Sequence, residues 1–467
     1  MLVKFNEILA NELGLPVDEL DSEDGARIFS GNVIPEGAAP LAMAYAGHQF
    51  GGFNPQLGDG RAILLGEIDS PAGVHFDIHL KGSGRTHYSR NGDGRAALGP
   101  VLREYIVSEA MAKLGVPSTR ALAAVATGEK VARERMLPGG IITRIATSFV
   151  RVGTFEYFAA RDDVESIRKL ADHVIERNYP QAGDEKNPYA ALLRAVLDRQ
   201  AALIAQWMTL GFIHGVMNTD NMSIAGETID YGPCAFMDAY DHDQVFSSID
   251  HGGRYAYSNQ PAIGLWNLTR LAETLLPLLA DETDAAVEIA QDVLKTYGAA
   301  YEAAWLSGMR AKCGLSADFA SAPAGDPALI QDLLDIMAKH KTDFTLTFLY
   351  LSQLTEKPAE QDSDMRELFA RATQFDDWLG RWRQRLQDES CSDAERQEKM
   401  RAVNPVYIPR NHQIEAAIRA AEDHDDFSVF HALHEVLQNP FMQQAGKRRY
   451  QLPPEPDEVV KQTFCGT

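Results

Sequence analysis

The sequence predicts an α+β protein of two lobes: a β-rich N-terminal lobe over residues 1–160 and a larger, mainly helical lobe over residues 161–467. Length is the first reason, because 467 residues exceed the ~250–300 residues that one hydrophobic core usually spans. The second reason is that strand signals predominate up to about residue 160. Beyond residue 160, apolar residues recur at the spacing of helices, which predicts the helical lobe.

A β-hairpin is predicted near the middle of the first lobe. Two strand-like segments, residues 61–68 and 74–81, are separated by Asp-Ser-Pro-Ala-Gly, a sequence typical of turns. In the second segment the even-numbered residues are apolar and the odd-numbered residues are polar, so the two sets lie on opposite faces. Lys81 is therefore expected on the polar face, toward a cleft or solvent.

One helix, a few strands and then a series of helices are predicted after the hairpin. Residues 100–115 are the clearest case, because Pro100 suits a first turn and apolar residues recur every four positions from Leu102 to Leu114. Two or three strands are expected within residues 121–145. Further helices are predicted over residues 164–176, 189–210 and parts of 263–280, 285–309 and 365–389, with exposed connectors at 314–327 and 356–364.

Composition and charge disfavour several classes of protein. The chain has 66 acidic residues against 44 Lys and Arg, a formal charge of -22, which disfavours a general nucleic-acid or anionic-membrane surface. Its first 20 residues include acidic side chains and no long apolar core, unlike a signal or transit peptide. The most apolar later stretch, LWNLTRLAETLLPLLA, is interrupted by Arg270, Glu273 and Pro277, so no membrane span is expected.

Cysteine usage points to a reducing compartment. Cys234, Cys313, Cys391 and Cys465 lie far apart and form no C-x-x-C pair. This spacing predicts neither a zinc site nor a disulfide framework. A cytoplasmic location is expected on this basis.

The segment HGVMNTDNMSIAGETIDYG, residues 214–232, predicts a metal site. Protein kinases hold magnesium with the Asn of an H-R-D-x-x-x-x-N loop and the Asp of a following D-F-G. Asn221 and Asp230 take those places here. If residues 222–224 pair with residues 227–229 as a hairpin, the β-carbons of Asn221 and Asp230 lie ~4.5–5.5 Å apart, close enough for one Mg²⁺. The alternative is that both residues only cap a surface hairpin.

The catalytic Asp of the kinase loop is missing. Alignment on Asn221 puts Val216, which cannot accept a proton, where kinases have the Asp that takes the proton of the attacking hydroxyl. This difference argues against phosphoryl transfer by the kinase route. Asp220, one residue before a predicted metal ligand, is the candidate base from another direction, and the alternative is that it only stabilises a turn.

Basic residues of the first lobe are candidates for binding nucleotide phosphates. Lys81 ends a predicted strand, and Glu104 on the following helix stands where kinases place the acid that orients this lysine. Arg144 and Arg151 are further candidates if the turn between them brings both to one polyphosphate. Each residue also has an explanation without a nucleotide. Glu104 near the first turn of a helix is favoured by the helix dipole, and lone basic residues are usually exposed to solvent.

Three glycine-containing turns lie close together in the sequence. They are LGDGR at residues 57–61, KGSGR at residues 81–85 and NGDGR at residues 91–95. Backbone N–H groups in such turns can bind phosphate oxygens. None matches the kinase G-x-G-x-x-G, and ordinary hairpin turns explain the Gly and Asp residues as well.

Four segments together resemble the selenoprotein O family, in its bacterial cysteine-containing branch. They are AGHQFGGFNPQLGDGRAILLGE, HLKGSGRTHYSRNGDGRAALGPVLREY, HGVMNTDNMSIAGETIDYGP and NPVYIPRNH, and the resemblance runs over nearly the whole chain. It implies a protein-kinase-like fold and protein adenylyltransferase activity, in which AMP moves from ATP to Ser, Thr or Tyr hydroxyls of proteins. It also implies a Mg²⁺ or Mn²⁺ ion, UMP transfer from UTP, and ATP bound in an orientation flipped relative to kinases.

The resemblance also implies roles for individual residues. Asn221 and Asp230 are implied to hold the metal ion, and Asp220 to accept the proton of the attacking hydroxyl. The residues implied to hold the nucleotide are Gly58, Gly60, Arg61, Lys81 with its partner Glu104, Asp93, Gly94, Arg144, Arg151 and Asp230.

The C-terminus carries a further implication. Cys465 stands third from the end, where the resemblance implies a redox-sensitive residue and hence a redox partner. Residues 238–253 contain no cysteine, so the intramolecular disulfide of some bacterial relatives is not expected here.

Three functions stay open on the sequence. The favoured one is AMP transfer to proteins. The second is a true kinase that uses Asp220 as its base, which Val216 disfavours. The third is a catalytically silent nucleotide-binding pseudokinase, which the retained metal-ligand pair Asn221 and Asp230 disfavours.

Overall fold

The structure is a computed structural model that describes residues 1–316 and 325–463, and it has the predicted α+β composition. Strands and helices are numbered along the described chain. The strands are β1 (Leu2–Phe5), β2 (Gly47–Gln49), β3 (Gly52–Asn54), β4 (Ala62–Asp69), β5 (His75–Lys81), β6 (Ala96–Ala97), β7 (Arg120–Ala132), β8 (Met136–Ala146), β9 (Phe212–Ile213) and β10 (Ala235–Phe236).

The main sheet is antiparallel and has the strand order β1-β7-β8-β5-β4, with β6 pairing alongside β8. All six of its strands lie within the first 146 residues, which is inside the region where the sequence predicts strands. β2 and β3 form a separate hairpin, and β9 and β10 form a short pair.

The hairpin predicted for residues 61–81 is confirmed. β4 pairs with β5 from Ala62 opposite Lys81 to Asp69 opposite His75. Because β8 lies on the other side of β5, this strand is interior to the sheet, and the burial of Asp77 and His79 shows that its polar face is covered as well. His79 on that face is fully buried, whereas Lys81 at the strand end lines a cleft.

Helices make up most of the chain after the sheet. The described helices are α1 (Glu7–Glu12), α2 (Val17–Leu20), α3 (Glu23–Phe29), α4 (Leu98–Lys113), α5 (Val152–Ala159), α6 (Val164–Asn178), α7 (Pro188–Leu210), α8 (Gln260–Leu279), α9 (Thr283–Leu294), α10 (Tyr297–Lys312), α11 (Asp326–His340), α12 (Phe344–Leu351), α13 (Asp362–Leu368), α14 (Thr373–Leu386), α15 (Asp393–Arg401), α16 (Asn411–His424) and α17 (Ser428–Leu437).

Two of the predicted helical segments are each divided in two. Residues 285–309 contain parts of α9 and α10, and residues 365–389 contain parts of α13 and α14. The second break has a backbone cause, because Ala370 and Arg371 both adopt left-handed conformations, with φ of 50° and 56°. A right-handed helix cannot continue through such residues.

α4 is buried along nearly its whole length. It packs on β7 and β8 and also contacts α16 and α17. Two polar links reinforce the second contact: Arg103 Nη1 donates to Asn411 Oδ1 at 2.8 Å, and the Gly99 N–H donates to Glu422 Oε1 at 2.9 Å. This helix is therefore fixed from both the sheet and the C-terminal helices.

The predicted hairpin between residues 222–224 and 227–229 is wrong. Ser223 instead forms an antiparallel bridge with Arg151, and Thr228 forms a parallel bridge with Ser118. The Val152 N–H donates to the Met222 carbonyl, so backbone groups of this segment are already paired with the upstream chain. The two halves of the loop thus diverge to separate partners, and no ladder forms between them.

The described C-terminal segment returns to the loop that follows Asp230. Thr463 pairs with Ser247 in a parallel bridge, and its Oγ1 donates to the Pro233 carbonyl at 2.6 Å. Cys465 and residues 317–324 of the first predicted connector lie outside the described residues. The second predicted connector, residues 356–364, is a turn-rich segment that leads into α13.

Two further observations concern the described part of the chain. Among its residues, Cys234, Cys313 and Cys391 are not joined in a disulfide. Among the described helices, none combines the length and the apolar character needed to cross a membrane.

Candidate active site

A cleft of about 380 Å³ lies between the end of β5, α4 and residues 216–233. Its volume falls within the ~300–1,000 Å³ typical of small-molecule sites. The predicted site residues in its lining are Gly60, Arg61, Lys81, Glu104, Arg144, Arg151, Asp220, Asn221 and Asp230. Segments that are far apart in the sequence therefore meet at one cleft.

Asp230 is the carboxylate on which the basic residues converge. Its Oδ1 accepts hydrogen bonds from Arg144 Nη1 at 2.7 Å and Lys81 Nζ at 3.4 Å, and its Oδ2 accepts from Arg151 Nη1 at 2.7 Å. Asp230 has a φ of 57°, a left-handed conformation that Asp tolerates better than most residues. This local turn places its carboxylate among cations from β5, β8 and the start of α5.

Lys81 and Glu104 form an ion pair with 2.7 Å between Nζ and Oε2. The other carboxylate oxygen of Glu104 accepts from Arg144 Nη1 at 3.2 Å. Glu104 and Arg144 are almost completely buried, and α4, which carries Glu104, is fixed on both sides. The lysine ammonium is therefore held at one place in the cleft.

The three cations control the charge of Asp230. Burial by itself raises the pKa of a carboxyl, but Arg151, Arg144 and Lys81 hold the pKa of Asp230 well below its usual value. Burial alone would lower the pKa of Arg151, but Asp230 together with Tyr45, Asp59 and Asp220 raises the pKa of this guanidinium above its usual value. Asp230 is thus ionised near neutral pH, which is the form that binds a metal.

Val216 contributes its backbone to the site. Its carbonyl accepts a hydrogen bond from Asn221 Nδ2 at 2.9 Å. Since that bond uses the amide nitrogen, the side-chain oxygen of Asn221 is the atom left for a metal. This oxygen and the Asp230 carboxylate are hard donors of the kind that Mg²⁺ and Mn²⁺ prefer, and both residues line the cleft. The pair therefore fits a divalent cation whose shell is completed by phosphates and waters.

Asp220 has the environment of a proton acceptor. Its side chain lines the cleft although the residue is only 8% exposed, and its Oδ1 has no hydrogen-bond partner in the described part of the chain. Burial raises the pKa of Asp220 to about 7, against the lowering influence of Arg151. A carboxyl with this pKa is suited to general-base catalysis near neutral pH.

A buried chain of hydrogen bonds behind Arg144 was not predicted from the sequence. Arg144 Nη2 donates to His79 Nδ1 at 2.8 Å, and His79 Nε2 lies 3.1 Å from Asp59 Oδ2. Arginine can only donate, so Nδ1 is the acceptor and Nε2 carries the proton that His79 donates to Asp59. Burial and Arg144 both lower the pKa of His79, which keeps this ring neutral. One signal in the sequence could have indicated His79: it lies two residues before Lys81, so the two side chains share one face of the strand.

Gly58, Asp93 and Gly94 are not among the described residues that line this cleft. Gly58 has a φ of 82° and packs so closely on Tyr88 that a β-carbon would overlap the ring. Asp93 accepts a hydrogen bond from Arg133 Nη1 at 2.9 Å and lines a separate recess. Contact of these three residues with a nucleotide stays a prediction.

Comparisons with known proteins agree over nearly the full length. The family model described as protein adenylyltransferase SelO matches residues 1–438. The protein nucleotidyltransferase YdiU of Rhodopseudomonas palustris (strain BisB5) is 61% identical over 466 residues, which cover 100% of this chain and 94% of that protein. Proteins of the same name from Rhizobium etli and Bradyrhizobium sp. are each 59% identical over 466 residues, covering 92% and 94% of those proteins.

Proposed function

Since this chain belongs to the family of the protein adenylyltransferase SelO, we propose that its cleft transfers AMP from ATP to Ser, Thr or Tyr hydroxyls of other proteins. Protein nucleotidyltransferase is the activity of the family and of the named relatives, and it is the activity of this chain. The observation that carries the proposed site is the convergence of Lys81, Arg144 and Arg151 on Asp230, with Asp220 in the same lining.

The cations are the proposed binding groups for the triphosphate. Lys81, Arg144 and Arg151 bring three positive charges to one cleft, and Glu104 and Asp230 hold them in place. Phosphate oxygens accept the same hydrogen bonds from guanidinium and ammonium groups that carboxylates accept. Asn221 and Asp230 would hold the divalent cation, which neutralises charge on the phosphates of a bound nucleotide.

Asp220 is the proposed general base. Its carboxylate accepts the proton of the acceptor hydroxyl while that oxygen forms a bond to the α-phosphorus of ATP. The bond between the α-phosphorus and the bridging oxygen breaks, and pyrophosphate leaves. Lys81, Arg144 and Arg151 then stabilise the negative charge that grows on the pyrophosphate. Val216 offers no side-chain acceptor, so the kinase geometry has no base on that side.

The finer features that the family resemblance implies belong to the same proposal. They are a kinase-like arrangement of two lobes that meet near residue 160, Mg²⁺ or Mn²⁺ as the ion, UTP as a second nucleotide, and a cytoplasmic location. The sheet within the first 146 residues supports the two lobes. A redox role of Cys465 is also part of the proposal, and Thr463, two residues earlier, contacts the loop after Asp230.

Labelled ATP separates AMP transfer from phosphoryl transfer. We expect the protein, incubated with a heat-inactivated cell extract, Mg²⁺ and ATP, to label proteins from the α-phosphate and not from the γ-phosphate. AMP transfer retains the α-phosphorus on the acceptor, whereas a kinase transfers the γ-phosphorus. Label from the γ-phosphate alone would identify a kinase, and ATP binding with no label from either would identify a silent scaffold.

Lys81 should contribute to ATP affinity. We expect ATP with Mg²⁺ to raise the melting temperature of the wild type, because a ligand bound only to the folded state stabilises it, by about 2.7 kcal/mol at 100 times its Kd. Lys81→Ala should show a clearly smaller rise. Lys169→Ala is the matched control, since Lys169 is an exposed lysine on α6 that pairs with Glu165. Equal rises in all three proteins would remove Lys81 from the nucleotide site.

A further inference from the structure

The loop that carries Asp220 is held by three linked hydrogen bonds, one of them buried and two partly buried. Thr219 Oγ1 donates to Glu156 Oε2 at 2.5 Å and accepts from the backbone N–H of His48 at 2.7 Å. The other carboxylate oxygen of Glu156 lies 2.6 Å from His48 Nδ1. Glu156 is on α5 and His48 is on β2, so this His48–Glu156–Thr219 network joins the loop to two separate elements.

The network leaves little freedom to its members. The Thr219 hydroxyl has one proton, which it gives to Glu156, and its lone pair takes the His48 N–H. Thr219 is fully buried and Glu156 is 4% exposed. A buried polar group that loses its partner destabilises the fold, and more so when it is charged, so each member holds the others in one arrangement.

The position of Asp220 depends on this arrangement. Its Oδ1 has no hydrogen-bond partner among the described residues, so no bond to that atom fixes the carboxylate. Gly47, next to His48 in β2, packs so closely on Asp220 that a β-carbon at Gly47 would overlap Oδ1. Arg151 Nη1 holds the backbone carbonyl of Asp220 at 2.8 Å. The carboxylate is thus placed by its loop and by β2, and the network fixes these two relative to each other.

We infer that Glu156, together with His48 and Thr219, is a positioning group for Asp220 in nucleotide transfer, an inference that rests on the proposed function. None of the three is among the described residues of the cleft lining, so they act through Asp220. A misplacement of about 1 Å at a reacting group can lower a rate ~10²-fold. Loosening the network therefore slows turnover while the phosphate contacts of Lys81 persist.

Kinetics of four variants test this inference. Thr219→Val removes the hydroxyl and keeps the side-chain shape, Thr219→Ser keeps the hydroxyl, and Glu156→Gln replaces the carboxylate by an amide. We expect Thr219→Val and Glu156→Gln to lower kcat ~10–100-fold, with KM for ATP within about twofold of wild type, and Thr219→Ser to keep most of the activity. Thr347→Val is the matched control, because Thr347 is equally buried and its hydroxyl donates to Asp343 at the start of α12.

Two results of these assays would overturn the inference. One is a kcat of Thr219→Val within about twofold of wild type, which would mean that the hydroxyl does not position the base. The other is a parallel loss of kcat, ATP binding and melting temperature, which is the pattern of a residue that only supports folding. Recovery of kcat in Thr219→Ser is the result that a structural role alone does not require.

Amide hydrogen exchange separates this inference from the proposed function, because it needs no turnover. We expect faster exchange at residues 218–222 in Thr219→Val than in wild type, and unchanged exchange around Lys81. If the wild type transferred no nucleotide, the proposed function would fail, and unchanged exchange at residues 218–222 would independently overturn the role of the network.

Discussion

Asp230→Asn should abolish nucleotide transfer, with a fall of at least ~10³-fold in the rate of labelling from the α-phosphate of ATP. The substitution replaces an ionised carboxylate by a neutral amide, which is a much weaker partner for a divalent cation. It also removes the acceptor of hydrogen bonds from Lys81, Arg144 and Arg151. The positive groups that stabilise the leaving pyrophosphate then lose the carboxylate that holds them in place.

ATP binding should respond differently from turnover in the same variant. The cleft keeps Lys81, Arg144 and Arg151 and loses one negative charge, so ATP alone should still raise the melting temperature. Mg²⁺ should add nothing to that rise in Asp230→Asn, whereas it should add to it in wild type. The loss of folding stability should stay below the ~3–5 kcal/mol typical of a buried charge left alone, because Arg144 keeps Glu104 as a partner.

An exposed aspartate gives the control for Asp230. Asp198 lies on α7 and pairs with Arg194 one turn earlier, so Asp198→Asn changes the net charge equally without touching the cleft. We expect wild-type transfer and the wild-type response to Mg²⁺ from Asp198→Asn. Transfer by Asp230→Asn above one tenth of the wild-type rate, or a Mg²⁺ response equal to that of wild type, would contradict the role of Asp230 as a metal ligand.

Asp220→Asn should lower kcat by ~10²–10⁴-fold, the usual contribution of a general base, and leave most of the ATP binding intact. The amide has nearly the shape of the carboxyl but cannot accept the proton of the acceptor hydroxyl. Labelling from α-labelled ATP measures the first effect, and the melting shift with ATP and Mg²⁺ measures the second. A variant that loses ATP binding as completely as it loses turnover would assign Asp220 to binding instead.

The same substitution should change the pH dependence of stability. The pKa of Asp220 is about 7 in the folded chain, raised by burial, and ~3.9 in an unfolded chain. The protonated carboxyl therefore contributes stability that is complete below the unfolded value and is lost as pH rises toward 7. Asn carries no such proton, so its contribution does not change over this range. The melting temperature of Asp220→Asn minus that of wild type should therefore be more positive at pH 8 than at pH 5. Equal differences at both values would contradict the raised pKa.

Local sequence patterns predicted the site residues that lie on regular elements. Lys81 at the end of a strand and Glu104 on a helix follow from periodicity, which depends only on neighbouring residues. Asn221 and Asp230 were predicted by their spacing within one loop, although the backbone route between them was wrong. The hairpin expected there does not form, because residues 117–119 and 150–152 supply the backbone partners.

The buried polar residues of the site could not be predicted in this way. His48 contacts Glu156 across 108 positions of sequence, and Arg144 contacts His79 across 65. A histidine or glutamate has the same appearance in a sequence whether its partner is water or a buried hydroxyl. Only the folded chain supplies the partner, so the contacts of Glu156 became visible only with the structure.

The burial of α4 affects how the activity of this protein can be controlled. Protein kinases are switched by moving the helix whose Glu pairs with the active-site lysine, so that the pair forms and breaks. A similar movement here would separate α4 from α16 and α17 and break the bond between Arg103 and Asn411, at a high energetic cost. The ion pair of Lys81 and Glu104 is thus formed in a helix that the rest of the fold holds in place. Control of turnover is therefore expected at another part of the molecule, such as the C-terminal segment that reaches the loop after Asp230, and not through the position of α4.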